Sequence, residues 1–287
     1  MRKWISKAIL VLMALTAITI WYEVVISPDT SGIIIKFCDV GQGDAAVIQK
    51  GDIQILIDGG PDEEVLNCIG GVMPSYDRKI DYVILSHPHA DHLVGINAAI
   101  DRYEIGEIFM SGVIYESNQY KKFNDLISSK KISPTIPEKY DVVIPFENAD
   151  IEFLWPGEKY DGETVDDLNP TSEVVRFCYF GHCALFTGDA ESEDGIYANI
   201  DPAKLSAEIV KVPHHGSSSG IDQTILSNVK PRYAIVSVGE GNSYGHPAQS
   251  TLDLLGEYQL TILRTDKDES ITFTIAEDGK GGWSIKN

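Results

Sequence analysis

From residue 32 onward, short apolar runs rich in Val and Ile recur, each closed by Gly, Pro or Asp: GIIIKFCDV, AAVIQ, IQILIDGG, DYVILSHPH, EIGEIFMSG, DVVIP, IEFLWPG, EVVRFCYF, CALFTGDA, AEIVKVPHHG and RYAIVSVG. β-Branched side chains are stiff at χ1 and pack well on a pleated surface, so runs of this length between turn formers predict strands. HLVGINAAIDRY, NQYKKFNDLISSK, QTILSNV and STLDLLGEY instead space their apolar residues three and four apart, which predicts helices. A strand-rich order with interspersed helices predicts two sheets packed together with helices outside. No internal repeat or low-complexity tract interrupts it, so residues 32–287 are expected to form one domain.

The first 27 residues follow another pattern. MRKWISK carries Arg2, Lys3 and Lys7, and an apolar run from Ala8 to Val25 follows, broken only by Glu23. Such a segment suits an uncleaved anchor or a signal peptide. The lack of a small-x-small cleavage site, together with Trp21 and Tyr22 as interfacial residues, favours the anchor. The expectation is a single pass through the cytoplasmic membrane with the domain from residue 32 outside, residues 28–31 as a linker, and secretion as the alternative.

The formal net charge is −20, and because residues 1–31 contribute +1, the remainder carries −21. A basic face able to displace counterions from many phosphates is thus missing, which argues against a long track along duplex DNA. Cys38, Cys68, Cys178 and Cys183 form no CxxC pair and no zinc ribbon. Cys178 and Cys183 flank the turn YFGH, either as a disulfide across a hairpin or as two small apolar strand residues.

The candidate chemistry sits where strands stop: IDGG, SHPHADH, TGDA and VPHHG each follow an apolar run, and sheet ends can bring such loops to one edge. His87 and His89, one residue apart on an extended segment, point the same way and can bind one metal. Asp91 and His92 follow on the turn into a helix and can serve a second, which makes a two-metal geometry.

HPHADH resembles the HxHxDH motif of the metallo-β-lactamase superfamily, with IDGG (Asp58), TGDA (Asp189) and VPHHG (His215) following the family's order. FCDVGQGDAAVIQ, LSHPHADHLVG, NPTSEVVRF, LFTGDA, VKVPHHGSSSG and SYGHP together are similar to the hydrolase domain of ComEC-like DNA-internalisation competence proteins. The resemblance implies an α/β fold, the four-layer αββα metallo-β-lactamase sandwich, holding two divalent metal ions. It implies that His87 and His89 bind the first metal, that Asp91, His92 and His215 bind the second, and that Asp189 bridges them. Asp58 is expected to orient a histidine, the alternative being a turn former before Gly59. His214 is expected beside the site, as a proton donor or a packed imidazole.

One position departs from the superfamily: Asn169 stands where a third histidine is usual for the first metal, and in this the chain resembles ComEC-like domains. Fewer imidazoles shift the preference from zinc towards a harder ion such as manganese. Asn169 itself is a substrate neighbour or a simple loop residue. His246 and Ser217 complete a polar set that can approach a phosphate, the alternatives being a turn histidine before proline and a flexible serine loop. With these residues the resemblance implies metal-dependent hydrolysis of a phosphodiester, single-stranded DNA or nucleotides, by Asp91, His214 and His246 beside the metals, with DNA-uptake machinery as a partner. The competing readings are a hydrolase of another ester or amide, β-lactams included, and a catalytically silent DNA-uptake subunit.

Overall fold

The structure, a computed structural model, describes residues 2–26 and 32–286. The expected linker over 28–31 lies outside the described residues.

Among the described residues, fourteen strands form two seven-stranded sheets. The first contains β1 (Ile33–Phe37), β2 (Ala45–Lys50), β3 (Ile53–Gly59), β4 (Lys79–Ile84) and β5 (Glu104–Phe109). The second contains β6 (Val142–Val143), β7 (Ala149–Trp155), β8 (Val174–Tyr179), β9 (His182–Phe186), β10 (Ile209–Lys211), β11 (Tyr233–Val236) and β12 (Thr261–Arg264). The chain then returns to the first sheet as β13 (Ile271–Ile275) and β14 (Ser284–Lys286), giving the order β14-β13-β1-β2-β3-β4-β5 against β12-β11-β10-β9-β8-β7-β6. Parallel pairing runs through β3-β4-β5 in the first sheet and through β9 to β12 in the second.

Why so many strands are apolar on both faces follows from three separate hydrophobic layers. Ile33, Ile35 and Phe37 of β1 face Phe153, Phe177 and Ile235 between the sheets. Their neighbour Ile34 joins the outer layer, where Leu93, Ile96 and Phe123 pack. That outer layer is covered by α2 (Val65–Gly70), α3 (Ala90–Arg102) and α4 (Asn118–Lys130), and the opposite one, with Leu154, Val174 and Val210, by α5 (Gln223–Val229) and α6 (Gln249–Glu257). Alternate side chains thus serve alternate layers, as a sheet covered on both faces requires. The expected four-layer αββα sandwich is what forms. A short helical turn, α7 (Thr265–Asp268), follows β12.

Two glycines set how closely α3 approaches β3. A Cβ on Gly95 would stand 1.9 Å from the Gly59 carbonyl oxygen, and one on Gly59 would stand 2.3 Å from the Ile96 nitrogen. Backbone therefore rests on backbone, and the first turn of α3, with Asp91 and His92, is brought against the end of β3.

Both cysteine pairs are disulfides: Cys178–Cys183 across the β8–β9 hairpin, and Cys38–Cys68, which ties the end of β1 to α2. The second pairing joins segments thirty residues apart and was not among the expectations.

The N-terminal run forms α1, Arg2–Ile26. Among the described residues no helix is long and apolar enough to cross a membrane. The expectation of a single-pass anchor is thereby corrected. Lys7 and Glu23 bracket the charge-free stretch; its fifteen residues at 1.5 Å each rise about 22 Å, short of a hydrocarbon core of roughly 30 Å.

Candidate metal centre

Parallel strands end together, and four of these ends build the centre. Asp58 closes β3, His87 and His89 follow β4, Asp189 follows β9, and His214 and His215 follow β10. Asp58, His214 and His215 all adopt positive φ, at 55°, 46° and 53°. Each such non-glycine residue costs about 1–2 kcal/mol, strain that persists only where surrounding contacts fix it.

Asp189 lies at the focus and is 2% exposed. Its Oδ2 atom stands 3.8 Å from His87 Nε2, 3.3 Å from His92 Nε2, 3.9 Å from His214 Nε2 and 3.7 Å from His215 Nε2. Asp91 Oδ2 is 3.2 Å from His215 Nε2 and 3.9 Å from His92 Nε2. Donor atoms around a cation held tetrahedrally at about 2.0–2.2 Å stand roughly 3.3–3.6 Å apart, so these spacings suit a shared ion. Asp91, His92, Asp189 and His215 offer four donor atoms within 4.8 Å of one another. His87 Nε2 and His89 Nδ1 meet at 2.8 Å, a hydrogen bond between the two imidazoles.

The outer contacts orient these rings. His92 Nδ1 donates to Asp58 Oδ2 at 2.9 Å, and Asp58 is itself fixed by the Ser86 backbone N–H at 2.8 Å. His215 Nδ1 donates to the Ser237 carbonyl at 2.9 Å. Each ring thereby carries its proton on Nδ1 and turns Nε2 inward. His87 Nδ1 lies 3.1 Å from Ser86 Oγ and 3.3 Å from Ser172 Oγ.

Electrostatics supply the test of whether a cation fits. Asp44, Asp58, Asp91 and Asp189 converge on the centre with Lys211, which pairs with Asp44 and sits 3.7 Å from Asp189 Oδ1. With neutral imidazoles, four carboxylates against one ammonium leave three negative charges uncompensated in a largely buried site, a costly arrangement without added positive charge. The side chains report this demand. Burial alone would lower the pKa of His215, but Asp189 and Asp44 outweigh it and push it up to about 9. His92 is likewise driven well above its ordinary value despite burial, by Asp189 and Asp58, while Asp189, opposed by burial, is held well below its own by His92 and His215. His92 Nε2 and Asp189 Oδ1, both buried, make no hydrogen bond. Nitrogen and carboxylate donors facing inward around unmet negative charge fit divalent cations.

A cleft of about 340 Å³ opens over the centre, lined by His89, Asp91, Asn169, His214 and His246 among others. His246 lies 5.5 Å, ring to ring, from His214, and the Asn169 amide is 3.4 Å from His214 Nδ1. Ser217 is turned from the cleft: it is 5% exposed and its hydroxyl donates to Glu191.

Three contributors escaped the sequence reading. Asp44 closes VGQGD just before β2, Lys211 is a lone charge in the apolar strand IVK, and Glu191 follows Asp189 by two residues. A lysine inside a short apolar strand was the one readable signal, since buried lysines need a partner.

Residues 38–240 match the family model of the metallo-beta-lactamase superfamily. The chain is 26% identical over 250 residues to competence protein ComA of Neisseria gonorrhoeae, covering 85% of this chain and 32% of that protein. It is also 26% identical over 199 residues to ComE operon protein 3 of Bacillus subtilis, covering 68% and 25%. The chain thus spans about a third or less of the length of these relatives. In fold it is similar to the crystal structure of the metallo-beta-lactamase fold protein YhfI from Bacillus subtilis, with a TM-score of 0.54 at 13% identity, covering 84% of this chain and 99% of that one. The chain belongs to the metallo-β-lactamase superfamily, as a hydrolase of that fold related to competence proteins.

Proposed function

We propose that the chain is a metal-dependent phosphodiesterase acting on single-stranded DNA or nucleotides at a centre of two divalent cations. The observation that carries this reading is the ring of four imidazole Nε2 atoms around the buried Asp189 carboxylate, with Asp91 beside them, in a site short of three positive charges. Two divalent ions would offset that deficit and leave the centre able to accept the negative charge of a phosphodiester. Cations in such a site lower the pKa of bound water toward about 7 and offset charge developing on a phosphoryl oxygen.

The chain's own residues do the rest. Asp58 fixes His92 in the tautomer whose lone pair points inward, and Lys211 neutralises Asp44 so that this buried carboxylate does not compete for charge. Asp91, a third exposed, reaches the floor of the cleft and is placed to orient water. His246 stands on the cleft wall 5.5 Å, ring to ring, from His214, placed to hydrogen-bond the leaving oxygen of a bound phosphodiester. The cleft volume is within the range that holds a nucleotide-sized ligand. With a surface this acidic, grip on nucleic acid is local and centred on the ions, which suits one strand or a short product. The likeness to competence proteins supports DNA taken up or degraded by an uptake machinery as the source of substrate.

The test uses the full chain loaded with Mn²⁺ or Zn²⁺ against single-stranded DNA, duplex DNA, bis(p-nitrophenyl) phosphate and nitrocefin. Cleavage of single-stranded DNA that disappears in His87→Ala and Asp189→Asn is expected. Nitrocefin turnover without phosphodiester cleavage would make it an ester or amide hydrolase. Inertness of the metal-loaded protein toward every phosphodiester would make it a silent uptake component.

A further inference from the structure

We propose that His214 is the third imidazole of the first cation, supplied from the turn after β10 in place of the histidine that this chain lacks at position 169. The proposal rests on the reading of a two-cation centre and assigns a donor that the family pattern does not.

Four observations converge on it. The His214 and His215 backbones, at φ 46°, ψ 52° and φ 53°, ψ 20°, are two consecutive left-handed residues. Neither is glycine, so the turn carries strain twice over, and its effect is to aim both rings at one carboxylate. The spacing is correspondingly even. His214 Nε2 lies 3.9 Å from Asp189 Oδ2 and His215 Nε2 lies 3.7 Å from the same atom. On the far side, His87 and His92 present their Nε2 atoms to it at 3.8 and 3.3 Å. His92 and His215 share Asp91 through contacts of 3.9 and 3.2 Å and belong to one cation. His214 Nε2, which shares Asp189 Oδ2 with His87 Nε2, is assigned with His87 and its neighbour His89 to the other.

The outer contact of His214 has the same form as that of His92 across the centre. Its Nδ1 donates to Glu191 Oε1 at 2.8 Å, as His92 Nδ1 donates to Asp58. Glu191 is pinned by the hydroxyls of Ser217 and Ser219 on the same oxygen, so it stays ionised and fixed. With the proton held on Nδ1, the Nε2 lone pair is free for a cation, which is the carboxylate–histidine–metal arrangement. The SSS run of HHGSSSG thereby acquires a role, because two of its hydroxyls hold the carboxylate that holds His214. The Asn169 amide nitrogen lies 3.4 Å from His214 Nδ1, and with the proton on Nδ1 the two are both donors, so Glu191 alone fixes the tautomer.

The experiment counts ions and nitrogens. Mn²⁺ titration of the full chain by calorimetry and electron paramagnetic resonance, with electron spin-echo modulation to count coordinated imidazoles, is compared among wild type, His214→Ala, Glu191→Gln and Asn169→Ala. Two equivalents are expected in wild type. His214→Ala should weaken one of them by 10-fold or more and remove one imidazole from the count. Glu191→Gln should weaken the same equivalent in a protein that keeps the imidazole, and Asn169→Ala should leave the count at two. Two full-strength equivalents and an unchanged imidazole count in His214→Ala would overturn the assignment, and would leave His214 as a proton donor if hydrolysis alone fell. Loss of an equivalent in Asn169→Ala would overturn it in favour of an asparagine ligand. A wild type that binds no Mn²⁺ or Zn²⁺ overturns the two-cation reading itself. If His214→Ala does not fold, the Glu191→Gln titration and the wild-type imidazole count decide.

Discussion

Withdrawing cations from the centre should leave a pH-dependent scar on stability, and its size follows from His215. In the cation-free fold the imidazole is pushed up to about 9 from an ordinary 6.5, with Asp189 and Asp44 outweighing burial. A raised pKa means that the folded state holds the proton more tightly than the unfolded chain does. The stabilisation is therefore complete below about 6.5 and is lost as pH climbs through 9. A rise from 6.5 to about 9 is worth roughly 3 kcal/mol, and because His215 is 2% exposed, solvent screening takes little from it. His92, also driven upward by carboxylates, acts in the same direction. The assay is urea denaturation of chelator-treated protein at about pH 6 and pH 9.5, with His215→Asn as control. A loss of at least about 3 kcal/mol in wild type, smaller by about that amount in the variant, where only the His92 share remains, is expected. With saturating cation the trend should reverse, because binding requires deprotonated imidazoles. Chelated wild type whose stability moves by less than about 1 kcal/mol across this window would refute the carboxylate-driven charge demand on which the centre rests.

Three further outcomes follow. Lys211→Met removes the buried ammonium between Asp44 and Asp189 and should cost about 3–5 kcal/mol, measured by denaturant midpoint in chelator, with part recovered on adding cation. Gly95→Ala places a Cβ against the Gly59 carbonyl and should push α3 outward, lowering both melting temperature and cation affinity, whereas a neutral effect would show that α3 does not position Asp91 and His92. Removing the Cys38–Cys68 bridge, which closes a separation of thirty residues, should cost about 3.7 kcal/mol, against about 2 for the five-residue Cys178–Cys183 bridge, as read from melting of the two paired serine variants.

Local features were the most readable. NQYKKFNDLISSK and QTILSNV are α4 and α5 to the residue, because caps and apolar spacing act within a few positions; Ser117 caps the first and Asp222 the second. The strand β13 is absent from the expected elements although ITFTI alternates in the manner of a half-buried strand. Its partner β1 lies more than 230 residues away, and no local pattern announces such a pairing. The centre divides in the same way. HPHADH declares itself because its four donors lie within six residues, and the family resemblance carried Asp189 and His215 into the set. Asp44, Lys211 and Glu191 acquire meaning only once β2, β10 and the β9 loop meet, since a lone carboxylate or amine has no spacing to read. The anchor expectation failed on length: apolar composition was plain, but Lys7 and Glu23 shorten the charge-free run.

The most direct measurement is the metal content of the full chain after loading with Mn²⁺ or Zn²⁺ and exhaustive gel filtration, alongside Asp189→Asn. Stoichiometric metal in wild type that falls away in the variant is the predicted result. Wild-type protein that retains none, or a variant that retains as much as wild type, would contradict a centre gathered around Asp189.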